Sequence, residues 1–121
     1  MKNAHFRILS CLLMVTVLFS LLPVTYAGAL NLKELTYIVT DGKVTITDCK
    51  PSIYGDIVIP DTIDGYPVVE IGEGAFEECT GIFNLVLPDT VRYIDSRAFY
   101  ECTNMASITI PDSVTTIGEY A

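Results

Sequence analysis

The sequence predicts a β-rich solenoid of 23-residue coils, each a short parallel strand followed by a turn or 3-10 segment, with a β-hairpin capping its N-terminal end. Three observations carry that prediction. A motif recurs at a fixed offset, each copy contains a short apolar alternation, and a separate alternating pair of segments flanks Asp41-Gly42.

The recurrence is the strongest of the three. Val68-Val69-Glu70-Ile71-Gly72-Glu73-Gly74-Ala75-Phe76 returns one period later as Val91-Arg92-Tyr93-Ile94-Asp95-Ser96-Arg97-Ala98-Phe99, and after the same interval again from Val114 to Ala121. Glu78-Cys79-Thr80 matches Glu101-Cys102-Thr103, and Leu85-Val86-Leu87-Pro88-Asp89-Thr90 matches Ile108-Thr109-Ile110-Pro111-Asp112-Ser113. Self-similarity at such a period marks stacked units that cannot bury their apolar sides singly. A partial earlier copy, Ile57-Val58-Ile59-Pro60-Asp61-Thr62-Ile63, stands further from its counterpart than the period requires, and the surplus falls around Asp64-Gly65-Tyr66-Pro67. A Gly/Pro-bearing turn is where a coil can swell without disturbing its strand.

Within a unit, Leu85/Leu87 and Ile108/Ile110 alternate with residues free to face solvent, which predicts a strand buried on one side. The proline that follows ends the ladder. The Val-x-x-Ile step should return along the opposite wall, and Ala-Phe-x-x-Cys should pack a helical or 3-10 turn inward. Gly72 and Gly118 suit a tight corner, although Asp95 occupies the same place in the middle copy. At the N-terminal side, Leu35, Tyr37 and Val39 alternate, then Val44 and Ile46, about an Asp41-Gly42 type I′ signal. Residues 30–56 are therefore expected to form a hairpin cap, and 57–121 the repeats. The third copy stops at Ala121 where the pattern calls for phenylalanine, so the natural protein is expected to continue.

Residues 1–29 are expected to be an export signal. Lys2, His5 and Arg7 precede an apolar run from Ile8 to Leu22, and Pro23 and small residues follow. That order is the one a cleavable signal shows, and the run falls short of the roughly 20 residues a spanning helix needs. Localisation should then be secreted or at the cell surface, with no membrane insertion after cleavage. The remainder carries five basic residues against all fifteen acids, a formal charge of −10. Such a surface repels phosphate backbones and anionic lipid, which argues against nucleic acid as a partner.

Little in the composition supports chemistry. The absence of a histidine or a Cys-x-x-Cys after residue 29 disfavours a tetrahedral zinc site and leaves no base for a Cys-His or Ser-His-Asp system. The adjacent pair Glu77-Glu78 should diverge on a turn, and Asp41, Asp64, Asp89 and Asp112 are explained as turn formers. No catalytic, cofactor-binding or metal-ligating residue is expected. Cys79 and Cys102 should stack about one strand spacing apart, roughly 4.8 Å. They are expected to be small buried hydrophobes rather than a disulfide pair. Cys49 is expected to be an ordinary free or half-buried thiol, with pairing to another chain as the alternative.

The unit closely resembles the BspA-like bacterial surface leucine-rich repeat, known as leucine-rich repeat type 5. Ile71, Ala75-Phe76, Cys79, Leu85, Leu87-Pro88 and Val91 carry the likeness, with their copies one period on. The departures are mild: Ile82 and Met105 stand where leucine is usual, and Asp95 replaces glycine. The resemblance covers roughly residues 35–121 and implies a curved solenoid used for adhesion or protein binding, with no catalytic residues. On that reading a protein partner should meet the strand face through Asn84, Val86, Ser107 and Thr109, with Tyr93 and Tyr100 at outward positions of the coil. The alternative is a structural spacer, or the repeat region of a larger exported enzyme or scaffold.

Overall fold

The structure, a computed structural model, describes residues 32–121. The expected export signal, Cys11 and the first residues of the expected cap lie outside them. Strands β1 (Leu35–Thr40) and β2 (Lys43–Cys49) follow a 3-10 turn at Leu32–Glu34 and pair antiparallel as a hairpin. Thr40 lies opposite Lys43, leaving Asp41 (φ 50°) and Gly42 (φ 70°) as a two-residue turn. Two successive positive φ values are what a type I′ turn requires and what Asp-Gly accommodates.

The coils build two parallel ladders back to back. One contains β3 (Gly55–Val58), β6 (Ile82–Val86) and β8 (Ser107–Thr109). The other runs β1-β2-β5-β7-β9, with β5 at Tyr66–Ile71, β7 at Tyr93–Ile94 and β9 at Thr116–Ile117. The returning wall of Val-x-x-Ile steps is thus a sheet in its own right, and β2 of the hairpin pairs parallel with β5. The cap therefore extends this sheet and covers the first coil. The surplus residues of the first copy form a small antiparallel hairpin between β4 (Thr62–Ile63) and β5, turning through Asp64 and Gly65, both with positive φ.

The segment expected to be a helical or 3-10 turn is a ladder of tight turns with bonds three residues back. Ala75, Glu77 and Cys79 donate their N–H groups three residues back, to Gly72, Gly74 and Phe76. The alternate donors, Gly74, Phe76 and Glu78, reach across to the carbonyls of Ser96, Ala98 and Tyr100 in the next coil. Half the donors close turns and half join coils, so this wall satisfies its backbone groups without a helix. The geometry requires left-handed residues, and these recur with the period: Gly74, Arg97 and Tyr120 at φ 57–64°, and Glu78 and Glu101 at 57–58°.

Between the walls lies a core with no buried polar or charged side chain among the described residues. Ile57, Ile59, Ile71, Phe76, Leu85, Leu87, Val91 and Ile94 are all at most 3 % exposed. Phe76 and Phe99, one coil apart, stack with centroids 5.6 Å apart. Gly72 sits flush against the Ile46 carbonyl, where an added Cβ would lie 2.9 Å from the oxygen.

The cysteines depart from expectation. Cys49 is no free thiol; it is disulfide-bonded to Cys79, 30 residues on. The cause lies in the link between cap and first coil. Cys49 ends β2 with its side chain buried, Ile53 tucks into the core, and the Gly55 N–H donates to the Gly81 carbonyl. This loop thereby lies over the turn that carries Cys79. The period relates Cys79 only to Cys102, and the cap has no place in the period. Cys102 keeps a free, half-buried thiol that donates to the Phe76 carbonyl at 3.0 Å.

Candidate interaction surface

Alternation along β3, β6 and β8 decides which side chains face outward. Ile57, Leu85 and Ile108 are directed to the core and pair in register across the three strands. Their neighbours make two outer rows. Asp56, Asn84 and Ser107 form one row, joined by hydrogen bonds: Asn84 Nδ2 donates to Asp56 Oδ1 at 2.6 Å, and Ser107 Oγ donates to Asn84 Oδ1 at 2.7 Å. Val58, Val86 and Thr109 form the other row, all exposed, the two valines at 40 % and 38 %. The polar row holds its rotamers by mutual bonding, while the apolar row offers surface to be covered.

Of the six residues the sequence singled out, Asn84, Val86, Ser107 and Thr109 thus share one face. Tyr93 does not join them. It is exposed on the opposite sheet, between Glu70 and Thr116. Tyr100 lies on the turn wall with the Arg97 guanidinium 5.7 Å from its ring centroid. Sequence reasoning missed Asp56 and Val58, which extend both rows by a strand. The signal was present, since they precede Asn84 and Val86 by the longer offset that relates the whole first copy to its counterpart. Tyr54 was also missed. It packs edge-on against Phe83 with centroids 4.9 Å apart while remaining 69 % exposed, and its partner is not its repeat counterpart.

Charge flanks the valine row. Pro60, Pro88 and Pro111 follow the three strands, and the next residue each time is an exposed aspartate, Asp61, Asp89 or Asp112. At the other end of the molecule the third coil is open: Ile110 is 42 % and Ile117 56 % exposed, and with Phe99, Met105 and Ile108 they bound a cavity of about 350 Å³. Among the described residues, no three His, Cys, Asp or Glu side chains are grouped to hold a metal. Among the described residues, Tyr37 and Cys102 are shifted from their ordinary values. Tyr37 is raised by donating to Asp64 at 2.6 Å, and Cys102 is raised by burial, with a hydrogen bond to the Cys79 backbone acting in the opposite direction.

Comparison with known proteins agrees with this architecture. The profile of the BspA type leucine rich repeat region matches residues 54–121, in six copies. A leucine-rich repeat protein of T. pallidum has a similar structure, with TM-score 0.67 and 35 % identity over 74 % of this chain and 42 % of that one. One from Bacteroides ovatus gives 0.64 and 33 %, covering 79 % and 26 %. A leucine-rich cell surface protein from Faecalibacterium prausnitzii gives 0.60 and 32 %, covering 70 % and 25 %. The chain spans less than half the length of each. No curated protein sequence matches. The 23-residue unit, the solenoid it builds and these likenesses together place the chain in the BspA-type leucine-rich-repeat family.

Proposed function

We propose that this chain is a secreted or cell-surface module that binds protein through the outer face of β3, β6 and β8, in an adhesive role. The observation that carries the reading is the pair of outer rows, a self-bonded Asp56-Asn84-Ser107 stripe beside exposed Val58, Val86 and Thr109. A pre-ordered polar row next to apolar surface loses little side-chain entropy when a partner covers it. The exposed Asp61, Asp89 and Asp112 bordering it, on a chain of strong negative charge, favour a partner with basic residues and disfavour nucleic acid. The cell-surface description of the Faecalibacterium neighbour supports the location.

The test is immobilisation of the purified chain and of a Val58→Glu/Val86→Glu variant, both checked for native circular dichroism. Each is offered bacterial and host surface proteins. The reading expects partners retained by the parent chain and bound at least about tenfold more weakly by the variant, the loss of a well-packed contact cluster. Equal retention by both would place binding elsewhere, and retention by neither would sink the reading.

A further inference from the structure

Cys102 occupies the position of Cys79 one coil further on, and its side chain is directed back toward that coil. Its Sγ donates to the Phe76 carbonyl at 3.0 Å, and the same oxygen accepts the Cys79 backbone N–H at 3.1 Å. The one free thiol among the described residues therefore rests against the backbone of a cysteine that is already half of a disulfide. Parallel stacking alone would leave the two sulfurs poorly aimed, but a thiol that already reaches the preceding coil starts beside the residue that carries the target sulfur. Burial raises the Cys102 pKa, while the contact with the Cys79 backbone favours its thiolate.

We propose that Cys79 is a shared disulfide partner, exchanging between Cys49 of the cap and Cys102 of the second coil. The Cys102 thiolate attacks Cys79 Sγ. A Cys79–Cys102 bond forms as the Cys49–Cys79 bond breaks, and Cys49 leaves as a thiolate. One disulfide and one thiol stand on each side of the step, so no oxidant or reductant is consumed, and the proton lost by Cys102 is matched by one gained at Cys49. The exchange moves the covalent staple. In one form it ties the hairpin to the first coil; in the other it ties the first coil to the second and leaves the hairpin held by the β2–β5 ladder and its buried Val44 and Ile46.

Glutamyl endopeptidase provides a direct readout, because cleavage after Glu34, Glu70, Glu78 and Glu101 leaves each cysteine in a separate peptide. The oxidised full chain is held under native conditions at mildly alkaline pH and quenched in acid, which stops exchange by protonating the thiolate. Free thiols are then alkylated and the linkages mapped by mass spectrometry. The expected result is two linkages, Cys49–Cys79 with Cys102 alkylated and Cys79–Cys102 with Cys49 alkylated, the second reaching about a tenth of the chains or more. Cys102→Ser should show the first alone. In Cys49→Ser, oxidised glutathione should join Cys79 to Cys102. The proposal is overturned by Cys49–Cys79 as the sole linkage throughout, by comparable amounts of Cys49–Cys102 (scrambling through unfolded chains), or by two persistent thiols in Cys49→Ser.

Discussion

Ile94 and Ile117 are the same residue at the same position of successive coils, paired across β7 and β9. Truncating each to alanine removes identical atoms, so any difference reports the stack rather than the residue. Ile94 is 1 % exposed, with Ile71 on one side and Ile117 on the other. Deleting it opens an enclosed hole, and such deletions cost about 2–5 kcal/mol. Ile117 is 56 % exposed, so less than half of its side chain leaves water. Full burial of such a side chain is worth about 1.5–3 kcal/mol, which scales here to about 1 kcal/mol or less. The side facing away from Ile94 is open, so no cavity term is added. Ile94→Ala should therefore lose about 2–3 kcal/mol more than Ile117→Ala, a midpoint difference of about 1–2 M in urea for a chain of this size. Urea titration by far-UV circular dichroism measures both. Equal losses, or a larger loss for Ile117→Ala, would refute the view that neighbouring coils set the worth of each motif position.

Reducing the Cys49–Cys79 disulfide frees a loop of 30-residue separation, and loop-closure entropy assigns such a cross-link about 3–4 kcal/mol. Urea curves with and without dithiothreitol should differ by that amount. Gly118→Ala should cost about 1–3 kcal/mol by overpacking, because the new Cβ would meet the backbone of Asp95 and Ser96 inside contact distance; thermal melting checks it. Tyr37 should ionise above the ordinary tyrosine range, since its hydroxyl donates to Asp64 and deprotonation would place two negative charges together. Its raised pKa means that the contact stabilises fully below pH about 10 and fades as pH rises through the folded value. A spectrophotometric titration should lose its last tyrosine transition in Tyr37→Phe.

Much of the fold was legible because the period repeats a physical requirement. A residue such as Leu85 must be apolar in every copy, since each coil buries its side against the next, so Ile57 and Ile108 carry the same demand. The Asp41-Gly42 hairpin was legible for a local reason, two positive φ values in succession. The turn wall was legible as a helical or 3-10 turn because Ala-Phe-x-x-Cys packs its apolar residues inward at that spacing, and the bonds three residues back are of the 3-10 kind. The alternation of donors between the coil's own turns and the next coil is a property of two coils together. Four of the six candidate surface residues fall on one face because strand alternation settles them. Tyr93 and Tyr100, expected at outward positions of the coil, are exposed but on other walls, because the alternation of one strand says nothing of residues outside it.

The amino-acid sequence by itself determined the unit, its length and its inward residues, because those depend on spacing within a copy and comparison between copies. The tertiary structure alone decided what lies between dissimilar parts. Cys49 bonds Cys79 because the linker after β2 folds over the first coil, and no spacing rule connects a cap to a repeat. The same reason covers Tyr54 against Phe83 and the Cys102 thiol against Cys79. Each is a contact made by packing one element on another, where distance along the chain carries no information about distance in space.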